Sequence, residues 1–164
     1  DFNEELVARL RESTGLPCST MSHAILRGLR VSGIERVAVA SSYIDDVNQR
    51  LVHFLGQNQI QAVCAYGLGV NDVTAMSKIS TQELVDLCLK TWDIAQEQAP
   101  GQAQGLLLSC GGLVSLEAVR QVEDKLGVTV VSSSPAGFWD LVATAGLDLF
   151  PQGMGRLAQE RQTA

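Results

Sequence analysis

"LLLSCGGLVSLEAV", Leu106 to Val119, runs an apolar stretch into a cysteine and two glycines before a helix-start signal. Three consecutive leucines read as a buried strand. Ser115, followed by Leu-Glu-Ala-Val, reads as an N-cap and the first turn of a helix. Strand, tight turn and helix in that order open a βαβ unit, so Cys110 is expected where a parallel strand hands the chain to a helix.

The same alternation extends in both directions. Hydrophobic periodicity predicts helices over 2–13, 21–31, 45–56, 81–97, 115–125 and 135–145, with strands over 16–18, 36–41, 60–65, 105–109 and 128–132. Gly15, Gly33, Gly127 and Gly146 stand where helices should stop. "QEQAPGQAQG", 96–105, is the most loop-like polar stretch, and the tail after Pro151 is Gly-rich and then polar, as a partly loose terminus would be.

An internal repeat lies within this pattern. Laying 1–31 over 113–143 matches Glu5 with Glu117, Val7 with Val119, Gly15 with Gly127, Ser22 with Ser134, Ala24 with Ala136 and Leu29 with Leu141. Element order agrees as well, which points to two lobes of similar design. In the second copy the helix follows a strand and the Cys110 turn, whereas Asp1 opens the first copy with neither. The sequence is therefore read as the C-terminal portion of a longer protein: 1–33 a remnant of the first lobe, 34–146 a complete second lobe, and 147–164 a tail returning toward the first. The expected fold class is α/β, with parallel sheets and helical crossovers and the first lobe incomplete.

Composition narrows the function classes. The 164 residues are 46% hydrophobic and 18% charged, as in ordinary globular chains, and carry a net charge of −6. No Lys/Arg cluster occurs and aromatics are few, which argues against a nucleic-acid surface or an anionic membrane as partner. No apolar run approaches the roughly 20 residues of a membrane span, and "DFNEELVARL" reads as an amphipathic helix rather than a signal peptide. A cytoplasmic setting follows as the reading. The four cysteines, Cys18, Cys64, Cys88 and Cys110, are widely spaced without a C-x-x-C pair, and His23 and His53 are the only histidines. Neither a zinc site nor a disulfide framework is indicated. Cys88 in "ELVDLCLKTW" reads as helix packing and Cys64 in "IQAVCAY" as a buried strand residue, while Cys18 is ambiguous.

Ligands of open parallel sheets gather at the carboxyl ends of the strands. Three such turns are polar or Gly-rich: "SSYIDD" (41–46), "SCGGL" (109–113) and "SSSPAG" (132–137). Together they would line one cleft. Gly111 and Gly112 leave their N–H groups open to an anion, and the following helix adds its positive end, so a carboxylate would be held there. A thiol with an ordinary pKa of about 8.5 is mostly protonated at neutral pH, and the same donors stabilise the thiolate left after it gives up its proton. That suits protonation of a carbon acid. Covalent cysteine catalysis competes, but it calls for an adjacent histidine base, which neither mid-helix His53 nor helix-initial His23 supplies. Tyr43, between strand and helix, can bring its hydroxyl to the cleft. Asp45 and Asp46 are read as first-turn acids favoured by the helix dipole, and Ser132, Ser133 and Ser134 as an N-cap region with Pro135 at the first helical position. No phosphate-binding loop or G-x-G-x-x-G is present.

"TGLPCSTMSHAILRGL", "RVAVASSYIDDVNQRLVHFL", "LLLSCGGL" and "VVSSSPAGFWDLV" together resemble the arylmalonate decarboxylase family of the aspartate/glutamate racemase superfamily, over about Phe2 to Leu157. The resemblance implies a two-lobed α/β fold with four-stranded parallel sheets, a site between the lobes, and no metal or organic cofactor. It implies that Cys110 delivers a proton to one face of a planar enediolate. Gly111, through its N–H, and Tyr43, through its hydroxyl, match members of the dioxyanion hole that holds the retained carboxylate. Val73 and Met76, in "GVNDVTAM", match the small apolar pocket of the departing carboxylate. The family's further donors, a Thr-Ser pair, and much of its aryl-binding wall belong to the first lobe, so this polypeptide alone is expected to be a poor catalyst.

The resulting expectation is cofactor-independent decarboxylation of α-aryl or alkenyl malonates, small dicarboxylates, to a chiral monocarboxylic acid. The alternatives are a two-cysteine racemase or cis-trans isomerase of small carboxylic acids, and a non-catalytic carboxylate-binding domain.

Overall fold

Apolar residues alternate in two directions along the central strands, and that alternation builds two cores on one sheet. The computed structural model describes residues 2–147 and 154–159. Its elements are α1 (Phe2–Thr14), α2 (Met21–Val31), β1 (Arg36–Ser41), α3 (Asp45–Gln57), β2 (Gln61–Gly67), α4 (Val73–Met76), α5 (Thr81–Gln98), β3 (Gly105–Ser109), α6 (Leu116–Leu126), β4 (Thr129–Ser132), α7 (Ser133–Thr144) and a 3-10 turn (Arg156–Gln159). The four strands form one parallel sheet in the order β2-β1-β3-β4. Ser41 of β1 lies opposite Ser109 of β3, so the ends of the two central strands are level.

Ala38, Ala40, Leu106, Leu108 and Val130 face one way and pack with Leu84, Val85 and Cys88 of α5 and Ala118, Val119 and Val122 of α6. Val37, Val39, Leu107 and Val131 face the other way, against Ile25 and Leu29 of α2, Leu55 of α3 and Trp139 of α7. Covering both faces explains why β1 and β3 read as continuous apolar runs. Each fully buried leucine or valine contributes on the order of 1.5–3 kcal/mol, which makes these two layers the main source of stability. Gly105 begins β3 where no side chain fits: a Cβ there would lie 2.5 Å from Ile34 Cδ1 and 2.8 Å from the Thr129 carbonyl oxygen.

The four helix-stop glycines hold φ of 67°, 67°, 72° and 69° at Gly15, Gly33, Gly127 and Gly146, the left-handed conformation that ends helices. The strands and longer helices lie within two residues of the predicted bounds. The short strand expected over 16–18 is absent: 16–20 is irregular, with Leu16 64% exposed. Pro17 offers no N–H, and neither edge strand of the sheet, β2 or β4, takes this segment as a partner. Residues 21–31, grouped with 1–33 from the repeat, share the core beneath α7: α2 and α7 pack together on the sheet face. These are the two helices the repeat superposes. The 3-10 turn, outside the predicted elements, buries Leu157 against Gly28 and Val131. The rest of the expected loose tail, 151–153 and 160–164, lies outside the described residues. Among the described residues no helix is long and apolar enough to cross a membrane.

Candidate active site

Three strand ends deliver three turns to one edge of the sheet. After β1, Ser41 is wholly buried; its hydroxyl donates to Asn48 Oδ1 at 2.6 Å and accepts from the Tyr43 N–H at 3.1 Å. One side chain thus ties the turn to the first turns of α3 and fixes where Tyr43 leaves the backbone. Ile44 is the N-cap residue of α3 and caps without a side-chain hydrogen bond. Asp45 and Asp46 are exposed in the first helical turn, consistent with a dipole role.

After β3, Cys110 takes φ +152°, a backbone conformation that residues with a side chain rarely adopt. Its sulfur accepts from the Gly112 N–H at 3.4 Å, and the thiol donates to the Met76 sulfur at 3.6 Å. Cys110 is 5% exposed. After β4, the Ser133 hydroxyl accepts from the Cys110 N–H at 3.2 Å, and the Ser134 hydroxyl donates to the Gly111 carbonyl at 3.1 Å. Helix α7 begins at Ser133, so Pro135 occupies its third position rather than its first. Neither Ser132 nor Ser115 caps with its side chain; their hydroxyls bond each other at 2.7 Å and join the start of α6 to the end of β4.

Tyr43 is half-buried against the same core cluster as Cys110 and Met76. Burial pushes its phenol pKa up, a hydrogen bond with Ser109 opposes this, and the neighbouring Cys110 pushes it further up. The phenol therefore remains a proton-bearing donor at neutral pH, in contact range of both Ser109 and Cys110. A cavity of about 310 Å³ lies beside it, lined by Tyr43, Ser109, Gly111 and Ser133, one or more residues from each of the three turns. Met21 and Ile25 of α2 and Val47 and Phe54 of α3 supply apolar walls, and Arg50 a cation. Such a mixture of convergent donors and apolar surface suits a small organic acid.

The predicted residues are thus brought together unevenly. Cys110, Gly111, Tyr43 and Met76 converge. Cys110 and Met76 lie behind the cavity, packed with Tyr43 on the α5 and α6 side, and do not line it; Val73 opens α4 at 73% exposure and does not line it either. His53 is exposed on α3, and His23 donates its backbone N–H to the capping Thr20 hydroxyl. Cys64 and Cys88 are buried as expected, and all four cysteines are free. Among the described residues no group of three His, Cys, Asp or Glu side chains gathers as a metal site would. Sequence reading underrated Ser133 and Ser134, whose signal was three serines at a strand end beside a Gly-rich neighbour.

The class of protein defined so far is an α/β fold whose parallel sheet carries a thiol, a phenol and glycine amides at its carboxyl edge. The comparisons make this specific. The arylmalonate decarboxylase family model matches residues 1–158, and the chain belongs to that family. It is 49% identical to arylmalonate decarboxylase of Bordetella bronchiseptica over 160 residues, covering 97% of this chain and 65% of that protein. A crystal structure of arylmalonate decarboxylase superposes with a TM-score of 0.87 at 51% identity, covering 98% of this chain and 68% of that one. The maleate isomerase Iso from Pseudomonas putida S16 superposes with a TM-score of 0.83 at 21% identity, covering 96% of this chain and 63% of that one, which is a likeness of fold. The chain spans somewhat less than two thirds of its curated Bordetella relative.

Proposed function

We propose that this chain carries the proton-delivering half of a cofactor-independent decarboxylase of α-aryl or alkenyl malonates. The observation that supports it most is the Cys110 thiol, held at a strained strand end beside the Gly112 N–H and a protonated Tyr43 hydroxyl. In this reading the substrate keeps one carboxylate against the Gly111 N–H and the Tyr43 hydroxyl. The other carboxylate is assigned to the Met76 side, where apolar surroundings disfavour its charge and departure as neutral CO₂ relieves that cost; Val73, exposed in this chain, joins that pocket only once the second wall covers it. The electron pair of the broken C–C bond becomes an enediolate, stabilised by the pre-aimed donors. Cys110 gives its proton to the α-carbon from one face, which fixes the product's handedness, and solvent then returns a proton to the thiolate.

The complete activity draws on a second wall, which we assign to residues beyond this chain; the share of the Bordetella relative that the chain spans, 65%, supports this. The division into 1–33, 34–146 and 147–164 belongs to the same proposal. Four free cysteines support a cytoplasmic setting.

The test is CO₂ release from phenylmalonate by the protein reconstituted at full length with its proposed second wall, and by the Cys110→Ser variant of that form. Release abolished by the substitution upholds the reading. Thiol-dependent α-proton exchange on an amino acid, or isomerisation of maleate, without CO₂ assigns the protein to the two-cysteine class. A Cys110→Ser variant with every activity and affinity unchanged leaves a binding domain.

A further inference from the structure

Three hydrogen bonds around the Cys110 turn form a chain that the reaction scheme does not yet use. The peptide linking Gly111 to Gly112 is held at its carbonyl by the Ser134 hydroxyl, 3.1 Å away. The N–H of that same peptide points at Cys110 Sγ, 3.4 Å away. On the other side of Cys110, its own N–H is held by the buried Ser133 hydroxyl at 3.2 Å. Between these anchors lies the Cys110–Gly111 peptide, and Gly111 lines the cavity.

The backbone here has reason to need holding. Cys110 has φ +152°, where a residue with a Cβ is strained, and Gly111 and Gly112 follow without side chains to restrict them. Within the turn itself the described backbone bonding is a single long bond from the Leu113 N–H to the Cys110 carbonyl at 3.4 Å. Left to itself, such a segment would sample several peptide orientations, and both N–H donors would turn away from sulfur and ligand.

We propose that Ser133 and Ser134 are positioning residues, which clamp the Cys110–Gly111–Gly112 turn so that one peptide N–H faces the sulfur and the next faces the bound carboxylate. Ser134 acts through the Gly111–Gly112 peptide; its hydroxyl polarises and orients the carbonyl, and the amide at the other end of that planar unit is aimed at Sγ. Ser133 removes the need for the strained Cys110 to find another partner for its N–H. The clamp comes from the start of α7, so the β4-to-α7 connection acts on the β3-to-α6 connection. This assignment rests on the proposed role of Cys110, and its test is arranged to stand apart from that role.

Ser134 is the better probe, being only partly buried and outside the core. The second-order rate of iodoacetamide alkylation of Cys110 at pH 7.5, followed by peptide mass spectrometry in a Cys18→Ser background, is measured with kcat and KM for phenylmalonate. Ser134→Ala slows alkylation about five- to tenfold, as loss of one oriented donor to a thiolate implies, and lowers kcat by a similar factor with KM within about twofold. Ser134→Thr, which keeps the hydroxyl, restores both to within about twofold. Thr91→Val, which removes a buried hydroxyl bond to the Leu87 carbonyl within α5, controls for general loosening and leaves the alkylation rate unchanged. Unaltered alkylation in Ser134→Ala, failure of Ser134→Thr to restore it, or equal slowing in Thr91→Val overturns the inference. If no variant of the reconstituted full-length protein releases CO₂, the decarboxylase reading fails while the alkylation series still decides this one.

Discussion

The sulfur of Met76 accepts a hydrogen bond from the Cys110 thiol across 3.6 Å, joining a four-residue helix to the end of β3. A thioether is a weak, polarisable acceptor that holds the thiol proton without removing it. The proton donor is thus parked with its hydrogen in place while the Gly112 N–H waits on the sulfur. Met76→Leu keeps the volume and loses the acceptor. We expect such a variant to fold with less than about 1.5 kcal/mol lost, by urea denaturation, because the swap conserves volume.

Tyr43→Phe removes the phenolic donor and leaves the ring's packing. Its expected effect is a fall in kcat for decarboxylation of about 10²-fold or more, as loss of a single oxyanion donor produces. Because the phenol pKa is raised above its ordinary 10.0, this donor function persists through mildly alkaline pH. A kcat that is unaltered in Tyr43→Phe would remove Tyr43 from the site.

Cys88 is fully buried, and burial pushes its thiol up to about 12. It has almost no thiolate below that value, and no path to reagent while the fold is intact. Alkylation at pH 8 under native conditions is expected to leave Cys88 unmodified, with modification appearing only across the urea transition. Native labelling would mean that α5 opens locally at low cost.

Glu123 accepts from the Val130 N–H at 2.9 Å and the Arg156 N–H at 2.8 Å, yet burial outweighs these bonds and raises its carboxyl above 4.5. A raised folded-state value means that the native state binds this proton more tightly than the unfolded chain. The contribution of this linkage is complete below 4.5 and is lost as pH rises through the folded value. The stability difference between the natural protein and Glu123→Gln, which does not titrate, should therefore shift in favour of the natural protein as pH is lowered from 7 toward 4.5. A difference independent of pH, measured by urea unfolding, would contradict this.

Gly105→Ala places a methyl group against Ile34 and the Thr129 carbonyl at distances no packed pair tolerates. Ile34 can shift but the β4 backbone cannot do so cheaply. A loss of about 1–3 kcal/mol is expected, the range for overpacking a core. Thermal denaturation measures it directly.

Much of this architecture was legible in advance because it is local. Runs such as 36–41 and 105–109 carry their own strand signal, and glycine at 15, 33, 127 and 146 marks helix ends through backbone sterics alone. The place of Cys110 followed from the same punctuation. The strand expected over 16–18 failed for a non-local reason, since a strand exists only where a neighbour offers its ladder, and the described sheet ends at β2 and β4.

Element order, the parallel class of the sheet and the turn on which the thiol stands are written in the primary structure, because short-range sterics and hydrophobic period decide these. Tertiary structure alone decided what surrounds that thiol. Met76 reaches it from 34 residues away and Ser133 from 23, across crossovers whose lengths say nothing of where their ends meet. That meeting is set by the level register of β1 and β3 and by the two packed faces that hold the sheet's carboxyl edge together.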